Sequence, residues 1–121
     1  MEIGFAVASR GPLATLDNIV KMTKAGEDME YDIVSVSDHI VVPKIIDSTY
    51  PYNDSGEFVD AFGASSASGE YMDQLTTLSY MAAITSHIRL LTAVMVLPHR
   101  SPVLAAKMLS TIDVLSEGHC V

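Results

Sequence analysis

Residues 88–97 read Ile-Arg-Leu-Leu-Thr-Ala-Val-Met-Val-Leu, a near-continuous apolar run interrupted only by Arg89 and Thr92. The run is far shorter than the ~20 residues that a membrane-spanning helix needs. A strand with one face in water would alternate polar and apolar residues, whereas a parallel strand covered on both faces by helices carries an unbroken apolar stretch. Parallel neighbours cannot be joined by a tight hairpin and require a crossover, usually a helix. A chain built around this segment must therefore alternate strands with helices.

The rest of the sequence meets that demand. Residues 3–8 are small and apolar and predict a first strand, ended by the loop Ser9-Arg10-Gly11-Pro12. Thr15 is placed to cap a helix running to about Met29, with Leu16, Ile19, Val20 and Ala25 on its apolar side. Ile33-Val34-Ser35-Val36 predicts a second strand that stops at the polar cluster Ser37-Asp38-His39. Asp73 caps a second helix with the stripe Leu75, Leu78, Ala82 and Thr85, which ends before the third strand at 88–97. Pro98-His99-Arg100 closes that strand, and Ser101-Pro102 opens a third helix with Leu104, Met108, Ile112 and Leu115 facing inward. Gly118 ends this helix, and His119-Cys120-Val121 starts a fourth strand. Between the second strand and the second helix, residues at about 43–72 have no sustained period. They are dense in turn formers, with Tyr50, Tyr52 and Phe58 among them, and predict an excursion that acts as a partial lid.

The fold class is α/β, in one domain over 1–121. Both a doubly wound sheet and a (β/α)8 barrel fit the alternation. Neither G-x-G-x-x-G nor G-x-x-x-x-G-K-[ST] occurs, so nothing favours the doubly wound choice. An ordinary barrel takes ~250 residues, so a barrel reading makes this less than half of one.

Composition narrows the partners. Hydrophobic residues make up 49% and charged residues 18%, enough apolar side chains to exclude a disordered chain. Fifteen acidic against 7 basic residues give a net charge of −8, and no run of Lys or Arg reverses it locally. Such a surface repels phosphate backbones and anionic lipid, so neither nucleic acid nor a membrane is an expected partner. Cys120 is the single cysteine, which excludes an internal disulfide and suits a reducing compartment. Met1-Glu2 is not followed by a secretory leader pattern, and the expected location is cytoplasmic. Asn53-Asp54-Ser55 then reads as a turn and not as a glycosylation acceptor.

In parallel α/β folds the loops that leave the carboxyl ends of the strands share one face, which carries the site. Here they offer Ser9 and Arg10, then Ser37, Asp38 and His39, then His99 and Arg100. Asp38 and His39 are the leading pair, because an imidazole with a pKa near ~6.5 passes protons at neutral pH and a polar neighbour fixes its tautomer. The plainer alternative has Asp38 capping the next segment and His39 covering a strand end. His99 and Arg100 read as a solvated loop ahead of a helix, with anion binding as the alternative. His87 falls at the opposite face, beside a helix terminus, and reads as structural. Neither His-x-x-x-His nor Cys-x-x-Cys is present, so no metal is expected.

Three stretches together carry a family likeness: Ser37-Asp38-His39-Ile40-Val41-Val42-Pro43, then Tyr50-Pro51-Tyr52, then residues 90–118 with Leu97-Pro98-His99-Arg100-Ser101-Pro102 and Ala105-Ala106-Lys107. The chain resembles the bacterial-luciferase-like superfamily, and within it the branch that uses coenzyme F420, a deazaflavin. The likeness covers essentially the whole chain. It implies the N-terminal part, about three and a half βα units, of a luciferase-like (β/α)8 TIM barrel. It also implies an oxidoreductase that moves hydride between coenzyme F420 and a small organic substrate, with an FMN-dependent monooxygenase as the alternative. An alternative of another class is a non-catalytic half-barrel that acts as a homo-oligomer or binding module. By the same resemblance Asp38 contacts the deazaflavin, and His39 helps to bind or protonate substrate near the reactive carbon. Thr92-Ala93-Val94 would form a bulge behind the ring, with a cis peptide between Ala93 and Val94. Three positions depart from the family pattern: Glu30 stands where glycine is usual, Leu91-Thr92 replaces Gly-Thr, and Gly118-His119 replaces Gly-Arg. The family's phosphate-gripping segments are not among these 121 residues.

Overall fold

A computed structural model of the chain describes residues 1–41, 49, 51 and 71–120. In chain order the elements are β1 (Gly4–Ala6), α1 (Leu16–Asp28), β2 (Ile33–Val36), α2 (Gln74–Ala82), β3 (Arg89–Thr92), a 3-10 turn (Leu97–His99) and α3 (Pro102–Leu115). The strands form one sheet in the order β1-β2-β3. Both pairs are parallel, with Phe5 opposite Val34 and Val34 opposite Leu90. Cys120 makes an isolated parallel bridge to Leu90, whose amide donates to the His119 carbonyl at 2.7 Å, at the position where a fourth strand is expected to start. The excursion and lid expected at about 43–72, with Tyr50, Tyr52, Phe58 and the Asn53-Asp54-Ser55 turn, lies almost entirely outside the described residues.

Local chemistry sets the helix starts. Thr15 Oγ1 accepts from the Asn18 amide at 3.2 Å, and Asp73 Oδ1 accepts from the Thr76 amide at 2.8 Å. Ser101 makes no such side-chain bond, and the preset φ of Pro102 opens α3 instead. At Gly26 an added Cβ would lie 2.1 Å from a Phe5 ring carbon, so glycine is what lets α1 approach β1 this closely. Glu30, at the joint between α1 and β2, has φ of 60°, the left-handed conformation that the family pattern assigns to glycine.

The core lies between the sheet and the helices, where Val34, Val36, Leu75, Leu78, Met81, Ile88 and Leu90 are fully buried. Several expectations about the elements need correction, among them that Thr85 belongs to the second helix, which ends at Ala82. β3 ends at Thr92 and not at residue 97, because β2 ends at Val36 and offers no further backbone to pair with. The buried line of α1 is Ile19, Thr23 and Gly26, while Leu16 is exposed. In α3, Ala105 and Ile112 are buried and Met108 is half-buried, whereas Leu104 and Leu115 are 58% and 67% exposed. That helix is apolar on nearly every face, so its sequence does not reveal which face turns inward.

At the amino edge of the sheet, Glu27 Oε1 accepts from the amides of Ser86, His87 and Ile88 at 2.7, 2.8 and 3.1 Å. Burial pushes the Glu27 carboxyl up, and the three amides together with nearby His87 more than reverse this, leaving its pKa below the usual value. His87 sits here, 3.5 Å from Glu27, and not in a helix turn. It is on the face opposite the strand exits.

Candidate active site

The carboxyl ends of the three strands meet at one edge. After β1, the Ser9 hydroxyl lies 2.8 Å from the Ser37 hydroxyl, and the Ser9 carbonyl accepts from the Met72 amide at 2.9 Å. Arg10 is buried. Its guanidinium donates to the Tyr71 hydroxyl and sits 5.3 Å from the centre of the Tyr71 ring. After β2, His39 is exposed, with its ring 4.8 Å from that of Tyr71.

Asp38 is the fixed point of the edge. Its side chain is 1% exposed, and it accepts from the Val96 amide at 2.9 Å and from both terminal nitrogens of the Arg100 guanidinium, Nη2 at 2.9 Å. Arg100 holds the Asp38 carboxyl below its ordinary pKa, burial opposes this, and the Val96 amide adds to the lowering. The same pairing raises the Arg100 pKa. Arg100 is itself 11% exposed and reaches Asp73 at 3.4 Å, so it joins the exits of β2 and β3 to the cap of α2. A bidentate guanidinium–carboxylate pair fixes orientation as well as charge.

After β3, the Ala93 amide donates to the Val36 carbonyl at 3.0 Å, and the peptide bond between Ala93 and Val94 is cis, the position at which the resemblance implies one. Val36 also accepts from Gln74 Nε2 at 2.7 Å, and Gln74 is fully buried with no partner for its Oε1 among the described residues. The 93–96 segment is thus tied to β2 at Val36 and to the β2 exit at Asp38. Val94, between those ties, is 76% exposed.

Asp38, His39, Thr92, Ala93 and Val94 therefore come together at the sheet edge. Arg100 is not part of a solvated loop, because the buried carboxylate draws it inward; His99 is exposed. Sequence reasoning missed Arg100 as the partner of Asp38, 62 residues away, and missed Tyr71 beside His39. A signal for Arg100 was present: it follows β3 at the edge to which Asp38 belongs. Among the described residues no group of His, Cys, Asp and Glu is placed to hold a metal ion, and no helix is long and apolar enough to cross a membrane.

A family model described as luciferase-like monooxygenase matches residues 1–121. The chain belongs to the luciferase-like monooxygenase family. Solved structures of other proteins share its fold. The monooxygenase RslO1 from Streptomyces bottropensis superposes with a TM-score of 0.65 at 18% identity, covering 99% of this chain and 31% of that one. A riboflavin lyase, RcaE, crystallised with modified FMN and its substrate riboflavin, superposes with a TM-score of 0.70 at 17% identity, covering 99% of this chain and 28% of that one. This luciferase-like chain thus has the fold of the N-terminal part of a luciferase-like TIM barrel and spans about a third of the length of those neighbours. No match is found among the curated proteins.

Proposed function

We propose that this luciferase-like chain supplies the first strand exits of a barrel that moves hydride between coenzyme F420 and a small organic substrate. The carrying observation is the Ala93–Val94 segment, exposed at the carboxyl edge that also carries His39 and tied there to Val36 and, through Val96, to Asp38. The residues fit a flat heteroaromatic group. Ala93 and Val94 offer it an exposed apolar backing, and the exposed His39 imidazole lies at the same edge. When bound, such a cofactor supplies hydride acceptance and donation. Asp38 is enclosed by Arg100 and the Val96 amide, so its part is to hold the 93–96 segment in place against β2. His39 is exposed, and its imidazole holds or delivers the proton that accompanies hydride transfer.

FMN is the second reading, favoured by the family description and by the modified FMN in the riboflavin lyase. The proposed setting is the cytoplasm, with no nucleic acid or membrane partner. A homo-oligomer is one way to complete the barrel. The test is made in a complete barrel, reached by continuation of the chain or by assembly. Oxidised F420 and FMN are titrated separately, and cofactor absorbance is followed under single-turnover conditions. F420 is expected to bind and to turn over. Turnover with FMN alone would select the second reading, and binding of neither would refute both.

A further inference from the structure

We propose that Tyr71 is a positioning residue that sets the orientation of the His39 imidazole, with Arg10 as its anchor. The proposal rests on the role given to His39 above. The two rings have centroids 4.8 Å apart and planes inclined by 37°, within the range of direct ring contact. His39 is exposed at a strand exit, so the neighbouring ring limits where its side chain can turn.

Tyr71 is in turn tied to the β1 exit in several ways. Its hydroxyl accepts a hydrogen bond from Arg10, its ring lies 5.3 Å from the guanidinium carbon, and its backbone bridges antiparallel to that of Arg10. The next residue, Met72, donates its amide to the Ser9 carbonyl at 2.9 Å. Arg10 is 5% exposed, so the anchor belongs to the packed frame of the sheet. A continuous set of contacts therefore runs from β1 through Arg10 and Tyr71 to the imidazole at the end of β2. The ring of Tyr71 makes the contact and its hydroxyl makes the tether. Phenylalanine would keep the first, and leucine would lose both.

Two measurements test this. The chain has four histidines, so NMR of the imidazole protons gives four resolvable sets, with that of His39 assigned by its loss in His39→Gln. A nuclear Overhauser contact between His39 and Tyr71 is expected. Tyr71→Phe should keep a contact with the His39 ring, and Tyr71→Leu should remove it and move the His39 signals while the other three sets stay in place. In a complete barrel, Tyr71→Leu should lower kcat by about 10- to 100-fold with little change in KM, the scale of a misplaced reacting group, and Tyr71→Phe should restore most of the rate. No ring contact in the unmodified chain, or equal kcat for the Leu and Phe variants, overturns the positioning role. A ring contact that responds to Tyr71→Leu while His39→Ala leaves hydride transfer unchanged overturns the proposed function of His39 instead.

Discussion

Arg100→Met should be the most damaging single change at the strand exits, and a second substitution should partly repair it. In the unmodified chain the Asp38 carboxylate, 1% exposed, has Arg100 across both oxygens and the Val96 amide on one of them. Removing the guanidinium leaves a buried negative charge with one backbone donor. Breaking a buried pair from one side typically costs about 3–5 kcal/mol, against the roughly 5–15 kcal/mol that holds a whole domain together. With a urea slope of about 1.5 kcal/mol per molar, a 3 kcal/mol loss lowers the unfolding midpoint by about 2 M. Asp38→Asn in that background removes the orphaned charge and keeps an acceptor for Val96, so the double variant should recover about 1–2 kcal/mol relative to Arg100→Met. The pH dependence carries a definite sign. Asp38 has a folded pKa below its ordinary value of 3.8, so its contribution is fully present above that value and is lost as pH falls through the folded pKa. In Arg100→Met, burial is opposed mainly by one amide, the folded pKa rises, and the deficit relative to the unmodified chain should shrink on acidification from neutral pH. Urea unfolding followed by circular dichroism, for the unmodified chain, both single variants and the double variant at neutral and mildly acid pH, measures these terms. A double variant no more stable than Arg100→Met, or a deficit that grows on acidification, would show that the carboxylate is not held by this pairing.

The remaining expectations concern other parts of the molecule. Glu27→Ala removes the acceptor shared by three amides and strands the buried one of Ile88, for an expected loss of about 1–3 kcal/mol in urea unfolding. Because the Glu27 pKa is lowered on folding from 4.5, its contribution is present above that value and fades as pH falls through the folded pKa, so the Ala variant should converge on the unmodified chain in acid. Glu30→Gly relieves a left-handed backbone at an exposed position and should raise stability by up to about 1 kcal/mol, since strain relief of ~1–2 kcal/mol outweighs the added freedom of glycine in the unfolded chain. Fluorescence titration should find only weak binding of F420 or FMN to the 121-residue chain, because barrels commonly build their phosphate grip from loops after strands seven and eight. In a complete barrel His39→Ala should slow hydride transfer by ~10²–10⁴, whereas His87→Ala at the amino edge and His99→Ala should stay near the parent rate in single-turnover absorbance.

The parts of this fold that can be read from the sequence are those decided within a few residues. Thr15 and Asp73 cap helices because each side chain bonds an amide three positions on, a relation visible in the string itself. β2 is equally plain, since the β-branched residues Ile33, Val34 and Val36 bracket a single serine before the polar exit. The length of β3 could not be read the same way. Its apolar run continues to Leu97, but pairing stops where β2 stops, and the continuation spends its backbone donors on Val36 and Asp38 instead. Periodicity likewise gives no phase to α3, where Val103, Leu104, Ala105, Met108, Leu109, Ile112, Val114 and Leu115 leave few polar positions to mark the outer face.

The site divides along the same line. Asp38 and His39 are adjacent in sequence, which invites reading them as a working pair, yet adjacent residues leaving a strand point to opposite sides. Asp38 turns into the protein and meets Arg100, while His39 turns outward and meets Tyr71. Their true partners come from the β3 exit and from Tyr71, which bridges to Arg10 after β1, at separations no local pattern encodes. What could have been inferred is a constraint of charge. A carboxylate directed inward at a strand exit needs a cation there, and Arg10 and Arg100 are the arginines that follow strands at that edge. Arg10 is engaged with Tyr71, so Arg100 answers Asp38, and the 93–96 segment between Thr92 and that arginine is drawn against β2 as a consequence. The far end of the exposed Ala93–Val94 segment is therefore anchored, through Val96, on the carboxylate of the buried ion pair, and substitutions at Asp38 or Arg100 should act on any ligand of that surface through its placement.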